Sequence, residues 1–264
     1  MSETPASPTP TDPFGFTTAG HEALRVLGPV PDAVVGPWVE RVVAAHGPHP
    51  ARVLDVGCGK GEWAVRLLDH LAGDGVGVEP NPSFARDARE RAHAALGPGR
   101  LTIETRCWSD APPPQGPFTL ALCTGSLQAF GRLDETLSAL RAILAPHGLA
   151  LLGTPYWRQV PAPEFLAALG ASADHHASLP DTLAAIRGHG WEVLAHEASS
   201  TEACDAYERA YANGIRSWCA AHPDAPERAA FERRIGMWSD LVDRWARDTL
   251  GYALVLARVI PTTT

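Results

Sequence analysis

Paired cysteines are missing from this chain of 264 residues. Its five cysteines, Cys58, Cys107, Cys123, Cys204 and Cys219, form no Cys-x-x-Cys and are odd in number. A chain of this length buries a core without covalent staples, so the pattern reads as reduced thiols in a cytoplasm. No apolar run approaches the roughly 20 residues that span a bilayer, which excludes a membrane-embedded class. There is no Lys/Arg-rich run, and 22 basic residues against 30 acidic ones leave a formal charge of −8. Such a chain is poorly suited to gripping a nucleic-acid backbone. Met1 to Pro13 is rich in Ser, Thr and Pro and has neither a basic n-region nor an apolar h-region, so it does not read as a signal peptide. The histidines, including His175-His176, show no metal-ligand spacing with Cys or carboxylates, and no metal is expected. No internal repeat is present. What remains is an ordinary globular composition, sized for one domain or for one domain with an appendage.

Residues 1–13 lack apolar periodicity and read as a disordered tail, with order beginning near Phe14. A helical stripe runs from Pro31 to about His46 (Val34, Val35, Trp38, Val39, Val42, Val43). Strands are predicted at Arg52–Val56, Gly75–Val78, Leu101–Thr105, Phe118–Cys123, Leu149–Gly153, Trp191–His196 and Tyr252–Val259. Helices fall between them at Glu62–Leu71, Phe84–Leu96, Asp134–Leu144 and Thr182–His189. This alternation implies an α/β fold, a mostly parallel sheet covered on both faces. Residues 201–249 interrupt it with a polar, aromatic stretch (Tyr207, Tyr211, Trp218, Phe231, Trp238, Trp245). They are assigned to a helical cap inserted before the last strand, leaving 14–200 and 250–260 as the core.

In an open α/β sheet the ligand sits beyond the carboxyl ends of the strands, beside the first strand. Here that place is Asp55-Val56-Gly57-Cys58-Gly59-Lys60-Gly61. A P-loop needs Gly-Lys-Ser/Thr, which Gly59-Lys60-Gly61-Glu62 does not supply. A dinucleotide fingerprint has its third glycine where Glu62 stands. Asp55 and Glu62 would repel a pyrophosphate, but they suit a ligand carrying an ammonium and a sulfonium, which is S-adenosylmethionine (SAM). Val53 to Gly61 closely resembles motif I of the class I SAM-dependent methyltransferases. Glu79, 24 positions after Asp55, stands near the spacing of an acid that holds ribose hydroxyls.

The resemblance implies a Rossmann-like, doubly wound seven-stranded sheet with a reversed last strand, SAM as cofactor and S-adenosylhomocysteine (SAH) as product. It implies Gly57, Cys58 and Gly59 along the methionine portion and Asp55 near its ammonium. Glu79, followed by Pro80, would hold the ribose. In Cys107-Trp108-Ser109-Asp110, Trp108 replaces the family's acid and would cover the adenine face, with the Ser109 backbone at its edge. Thr124-Gly125-Ser126 would lie under the sulfonium. Segments 123–131, 154–158 and 245–252 are similar to a largely uncharacterised bacterial group of stand-alone methyltransferases. That group often has His where this chain has Gln128, and Glu where it has Thr154, so neither place supplies a standard base.

Methyl transfer is an in-line displacement that rests on alignment and exclusion of water, with a base needed only where the acceptor must lose a proton. Candidate catalytic groups are His21, which precedes the first helix, Tyr156 after the fifth strand, and Tyr207 and Tyr211, one turn apart in the cap. Gln128, Trp157, Arg158 and Glu208 are candidate substrate contacts, Arg158 for an acidic acceptor or a cap carboxylate. A small molecule methylated at N, O or C is the expected partner of a monomer or homodimer. The competing functions are a SAM-consuming elimination or cyclisation and a non-catalytic SAM-binding protein.

Overall fold

A computed structural model describes residues 12–261, so most of the tail assigned to 1–13 lies outside the described residues. The strands are β1 (Ala51–Val56), β2 (Gly73–Val78), β3 (Leu101–Glu104), β4 (Phe118–Thr124), β5 (Leu144–Trp157), β6 (Trp191–Ala198) and β7 (Leu250–Val259). They form one sheet in the order β3-β2-β1-β4-β5-β7-β6. β1 to β5 pair in parallel, and β7 runs antiparallel between β5 and β6. The expected mostly parallel sheet with a reversed last strand is therefore present.

Before the sheet come α1 (Gly15–Gly20) and α2 (Asp32–His46). Among the strands lie α3 (Glu62–His70), α4 (Pro82–Leu96), α5 (Leu133–Ile143), α6 (Pro163–Leu169) and α7 (Leu179–Gly188). Trp38, Leu67 and Ala88 of α2, α3 and α4 bury one sheet face with Val53, Leu122 and Leu254. Leu137, Leu140 and Ile186 of α5 and α7 bury the other with Leu54, Ala121 and Val255. Two covered faces explain why β1 and β4 read as near-continuous apolar runs rather than alternating ones. α3 and α4 return on one face and α5 on the other, so β1 and β4 diverge at their carboxyl ends and leave a crevice.

Two expectations are corrected. The fifth strand runs to Trp157 rather than Gly153, because Leu250–Ala253 of β7 pairs with Thr154–Trp157. Tyr156 and Trp157 are therefore strand residues and not part of a loop that follows the fifth strand. The short helices α1 and α6 were not anticipated.

Between β6 and β7 stand α8 (Thr201–Ala221) and α9 (Arg228–Leu241), followed by a π-turn over Val242–Ala246. Ser200 caps α8 by accepting the Ala203 N–H at 3.2 Å. α1 crosses α8 so closely that a Cβ on Gly214 would stand 2.5 Å from the Ala19 carbonyl oxygen. Phe16, Ala212, Ile215, Phe231 and Ile235 fill this crossing as an apolar cluster apart from the two sheet layers. The helices after β6 are thus stitched to the segment before α2.

Candidate active site

Asp55 is the penultimate residue of β1 and is 1% exposed. Its Oδ1 is buried without a hydrogen-bond partner. Burial first, and then the neighbouring Glu79 carboxylate, push the Asp55 carboxyl up to about 8, against the stabilising Ala64 backbone N–H. Glu79 follows β2 and accepts the Gly59 N–H on one oxygen and the Asn81 N–H on the other, each at 2.9 Å. It thereby fixes the glycine loop and the entry to α4, and each oxygen keeps a second lone pair for a ligand. Burial also raises its carboxyl.

Gly57 turns at φ +68°, and a Cβ there would meet the Ser126 Cβ at 2.4 Å. The Ser126 hydroxyl donates to the Val56 carbonyl and contacts the Cys123 sulfur at 3.2 Å. Ser126 is thus a strut joining the ends of β1 and β4, with its hydroxyl turned away from the crevice mouth. Cys58 also turns inward: a Cβ on Gly77 of β2 would stand 2.8 Å from its sulfur.

A segment preceding α2 covers the loop. Leu27 lies directly on Gly59, where a Cβ would be 2.6 Å from Leu27 Cδ1. Lys60 Nζ donates to the carbonyls of His21 and Glu22, both at 2.9 Å, and fastens the end of α1 to the glycine loop. The space enclosed by Arg25–Val30, the loop, Thr124 and Tyr252 is about 20 Å³, enough for about one water molecule.

On the other side of His21 opens a cavity of about 830 Å³, walled by α1, α8, α9 and the π-turn. His21 Nδ1 lies 2.9 Å from the Thr17 carbonyl and Nε2 lies 2.9 Å from the Tyr207 hydroxyl. A carbonyl only accepts, so Nδ1 carries the proton; Nε2 is bare and accepts the Tyr207 O–H. Burial lowers the His21 imidazole to about 4, which keeps it neutral near pH 7. The Tyr207 oxygen is left as an acceptor. Tyr211 packs its ring on Gly20, 4.8 Å from the His21 ring centroid. Glu208 accepts the Trp238 indole N–H at 2.6 Å, and burial raises its carboxyl. Tyr207 and Glu208 also border a cavity of about 140 Å³ reaching Pro29, Pro155 and Tyr252. That smaller space lies between the large cavity and the crevice.

The methyltransferase domain family matches residues 32–206. The chain belongs to that family. This methyltransferase is 27% identical over 205 residues to the uncharacterised protein YjhP of Escherichia coli, covering 77% of this chain and 82% of YjhP. The solved YjhP structure superposes with a TM-score of 0.83 at 24% identity, over 93% of this chain and 99% of that one. A SAM-dependent methyltransferase of Geobacter sulfurreducens, solved with SAH, also gives a TM-score of 0.83 at 24% identity, over 92% and 96% of the two chains.

In this methyltransferase Gly57, Cys58, Gly59 and Thr124 line the small space under Arg25–Val30. Asp55 and Glu79 are buried, with Glu79 bonded to the Gly59 N–H, and Pro80 is half-buried. His21, Tyr207, Glu208 and Tyr211 gather at the large cavity. Trp108 is half-buried, its ring 5.0 Å from that of Phe130, while Ser109 and Gln128 are exposed. Besides Gln128, three candidates for the acceptor side are not brought to either cavity. Tyr156 is buried with its ring over Gly251. Trp157 donates its indole N–H to the Ala173 carbonyl at 2.9 Å and packs with Phe165. Arg158 donates to the Thr201 hydroxyl at 2.5 Å and to the Ser199 carbonyl at 3.3 Å, holding the start of α8. Sequence reasoning missed Leu27, Lys60 and Tyr252. It also missed the α9 wall of the cavity, which was legible as Arg233, Arg234, Met237, Trp238 and Leu241 at helical spacing. Among the described residues, no three His, Cys, Asp or Glu side chains converge as metal ligands.

Proposed function

We propose that the protein transfers a methyl group from SAM to N, O or C of a small molecule held in the cavity between α1, α8 and α9. The observation that carries the reading is the buried Asp55 Oδ1 without a partner, at the carboxyl end of β1. An orphaned carboxylate oxygen costs free energy that a cationic ligand group recovers. Together with the loop glycines and Glu79, it fits a ligand with an ammonium at one end and ribose hydroxyls further along. Asp55 and the loop would hold the methionine portion, Glu79 the ribose, and Trp108 with the Ser109 backbone the adenine. The methionine portion passes Gly59 only when Leu27 has moved aside.

SAM supplies an electrophilic methyl on a sulfonium, and its transfer leaves SAH. The chain's own part is alignment and exclusion of water. Tyr207, its proton engaged by His21, offers an oxygen that accepts an N–H or O–H of the bound molecule and orients its lone pair. Glu208, with its raised carboxyl, would take a proton from an acceptor that must lose one. The acceptors named for relatives differ widely. A malonyl-[acyl-carrier protein] O-methyltransferase is 32% identical over 47% of this chain and 48% of its own length. A trans-aconitate 2-methyltransferase is 30% identical over 51% and 50%. Such partial matches support the reaction class and leave the acceptor to the cavity's own chemistry.

Incubation of the protein with SAM, alone and with a metabolite pool, separates the readings by mass spectrometry. SAH formed only with the pool is the expected result. Methylthioadenosine formed from SAM alone would replace methyl transfer with elimination. Binding of SAM with no turnover under either condition would point to a non-catalytic protein.

A further inference from the structure

We infer that the large cavity takes an anionic acceptor: a flat, apolar body bearing a carboxylate or phosphate at the cavity mouth and the methylated N–H or O–H group at the inner end. This rests on the proposed function and names the class of molecule that the site selects.

The first observation is the face that α9 and the π-turn turn toward the cavity. Arg233, Arg234, Met237, Trp238, Arg244 and Trp245 all line it, at the three- and four-residue spacing of one helix face. In a chain of net charge −8, that wall gathers three guanidinium groups. Many other arginines are spent on carboxylates: Arg66 and Arg91 on Glu62, Arg228 on Glu232, and Arg247 on Asp205. Among the described residues, no carboxylate lies within ion-pair distance of Arg233, Arg234 or Arg244. All three are exposed, so they stand at the mouth. Arg234 lies 4.1 Å above the Phe16 ring, which steadies it there. The acidic lining is Asp240 at the rim and Glu208 deeper in, the latter engaged by Trp238.

The second observation is the apolar interior. Trp238, Trp245, Tyr207 and Tyr211 present rings to one space. A cavity of about 830 Å³ falls in the range that encloses a drug-sized molecule. Met237 is 74% exposed at its edge, an apolar contact with nothing packed on it.

The third observation fixes which end is which. The Tyr207 oxygen accepts and does not donate, because its own proton goes to His21. Tyr207 also borders the smaller cavity leading toward Tyr252 and the crevice. A group carrying a proton is therefore recognised at the inner end and a negative charge at the outer one. Guanidinium groups favour carboxylate and phosphate through paired, charge-assisted hydrogen bonds.

The test uses three probes with one ring system and different charge: 2-naphthoate, 2-naphthamide and 2-naphthylmethylammonium. Each is titrated by calorimetry into the full chain, wild type and Arg233→Gln/Arg244→Gln, with SAH affinity and thermal midpoint measured in parallel. Both arginines are exposed, so the double variant is expected to fold. Naphthoate should bind about tenfold tighter than the amide, with the ammonium weakest. The double variant should bring naphthoate to the level of the amide and leave SAH binding unchanged. An amide or ammonium that binds as well as naphthoate, or no binding by any probe, would overturn the inference. So would naphthoate binding that the double variant leaves unchanged. Absence of a charge preference in the wild type, with SAH still bound, removes this inference alone, whereas failure of the wild type to bind SAH removes the proposed function beneath it.

Discussion

SAM binding should release a proton from Asp55. The free carboxyl is raised to about 8 by burial and by Glu79, so near pH 7 it is mostly protonated. A ligand ammonium beside Oδ1 favours the ionised form and lowers that value. Binding then requires the proton to leave. For a group titrating at about 8, roughly 0.9 proton is released at pH 7, and affinity rises about 50-fold from pH 6 to pH 8 before levelling. Calorimetry at pH 7 in two buffers of different ionisation enthalpy reads the proton count directly, and titrations between pH 6 and 8 read the slope. Asp55→Asn should flatten the slope, release no proton and bind SAM more weakly. The same group also predicts the stability of the free protein. Its folded value lies above the unfolded 3.8, so its contribution is fully present below about pH 4 and is lost as pH rises through about 8. Asp55→Asn should therefore raise the thermal midpoint of the free protein at pH 8 while weakening its ligand. Zero proton release, with SAM affinity equal at pH 6 and pH 8, would refute the placement of the ligand cation at Asp55.

Glu79→Ala removes the acceptor for two backbone N–H groups as well as for the ribose, and should weaken SAH binding by about 1–3 kcal/mol, roughly 5- to 150-fold, in calorimetry. Lys60→Met unfastens His21 and Glu22 from the glycine loop. Amide exchange over residues 22–30 should quicken and stopped-flow association of SAH should speed up, and unchanged protection would count against the latch. Tyr207→Phe deletes the oxygen facing the cavity but keeps the ring, so turnover with the acceptor found by mass spectrometry should fall while SAH affinity stays within about twofold. A structure with SAH bound in which Tyr207 points away from the sulfur would remove that role.

The sheet was legible because buried parallel strands such as Val53-Leu54-Asp55-Val56 read as apolar runs closed by glycine. Asp55 and Glu79 were legible because each ends such a run. The length of β5 was not, since Thr154–Trp157 becomes strand only when β7 arrives nearly a hundred residues later to pair with it. Trp157 and Arg158 look like acceptor contacts in sequence. Whether an indole N–H meets a ligand or the Ala173 carbonyl depends on the chain's path after β5. The large cavity is likewise non-local: His21 and Tyr207 lie 186 residues apart and meet only because α1 crosses α8. Leu27 carried no signal, being one apolar residue in a short segment whose partner is a glycine. The arginines of α9 did carry one, a helical face alternating guanidinium with Met and Trp that suits neither a core nor a purely solvated surface.

Lys60 is the only lysine in the sequence, and it is buried where the segment before α2 meets the glycine loop. Amine chemistry on this protein therefore has one side-chain target, and that target is a reporter. A brief pulse of an acylating reagent marks Lys60 only in molecules whose segment has lifted, so one peptide's mass shift counts the open fraction, with a chain-terminal amine as internal standard. Immobilisation through side-chain amines would do the opposite of what is intended, capturing molecules in the act of opening and preventing them from closing again. Tethering by another route keeps both states available on the surface.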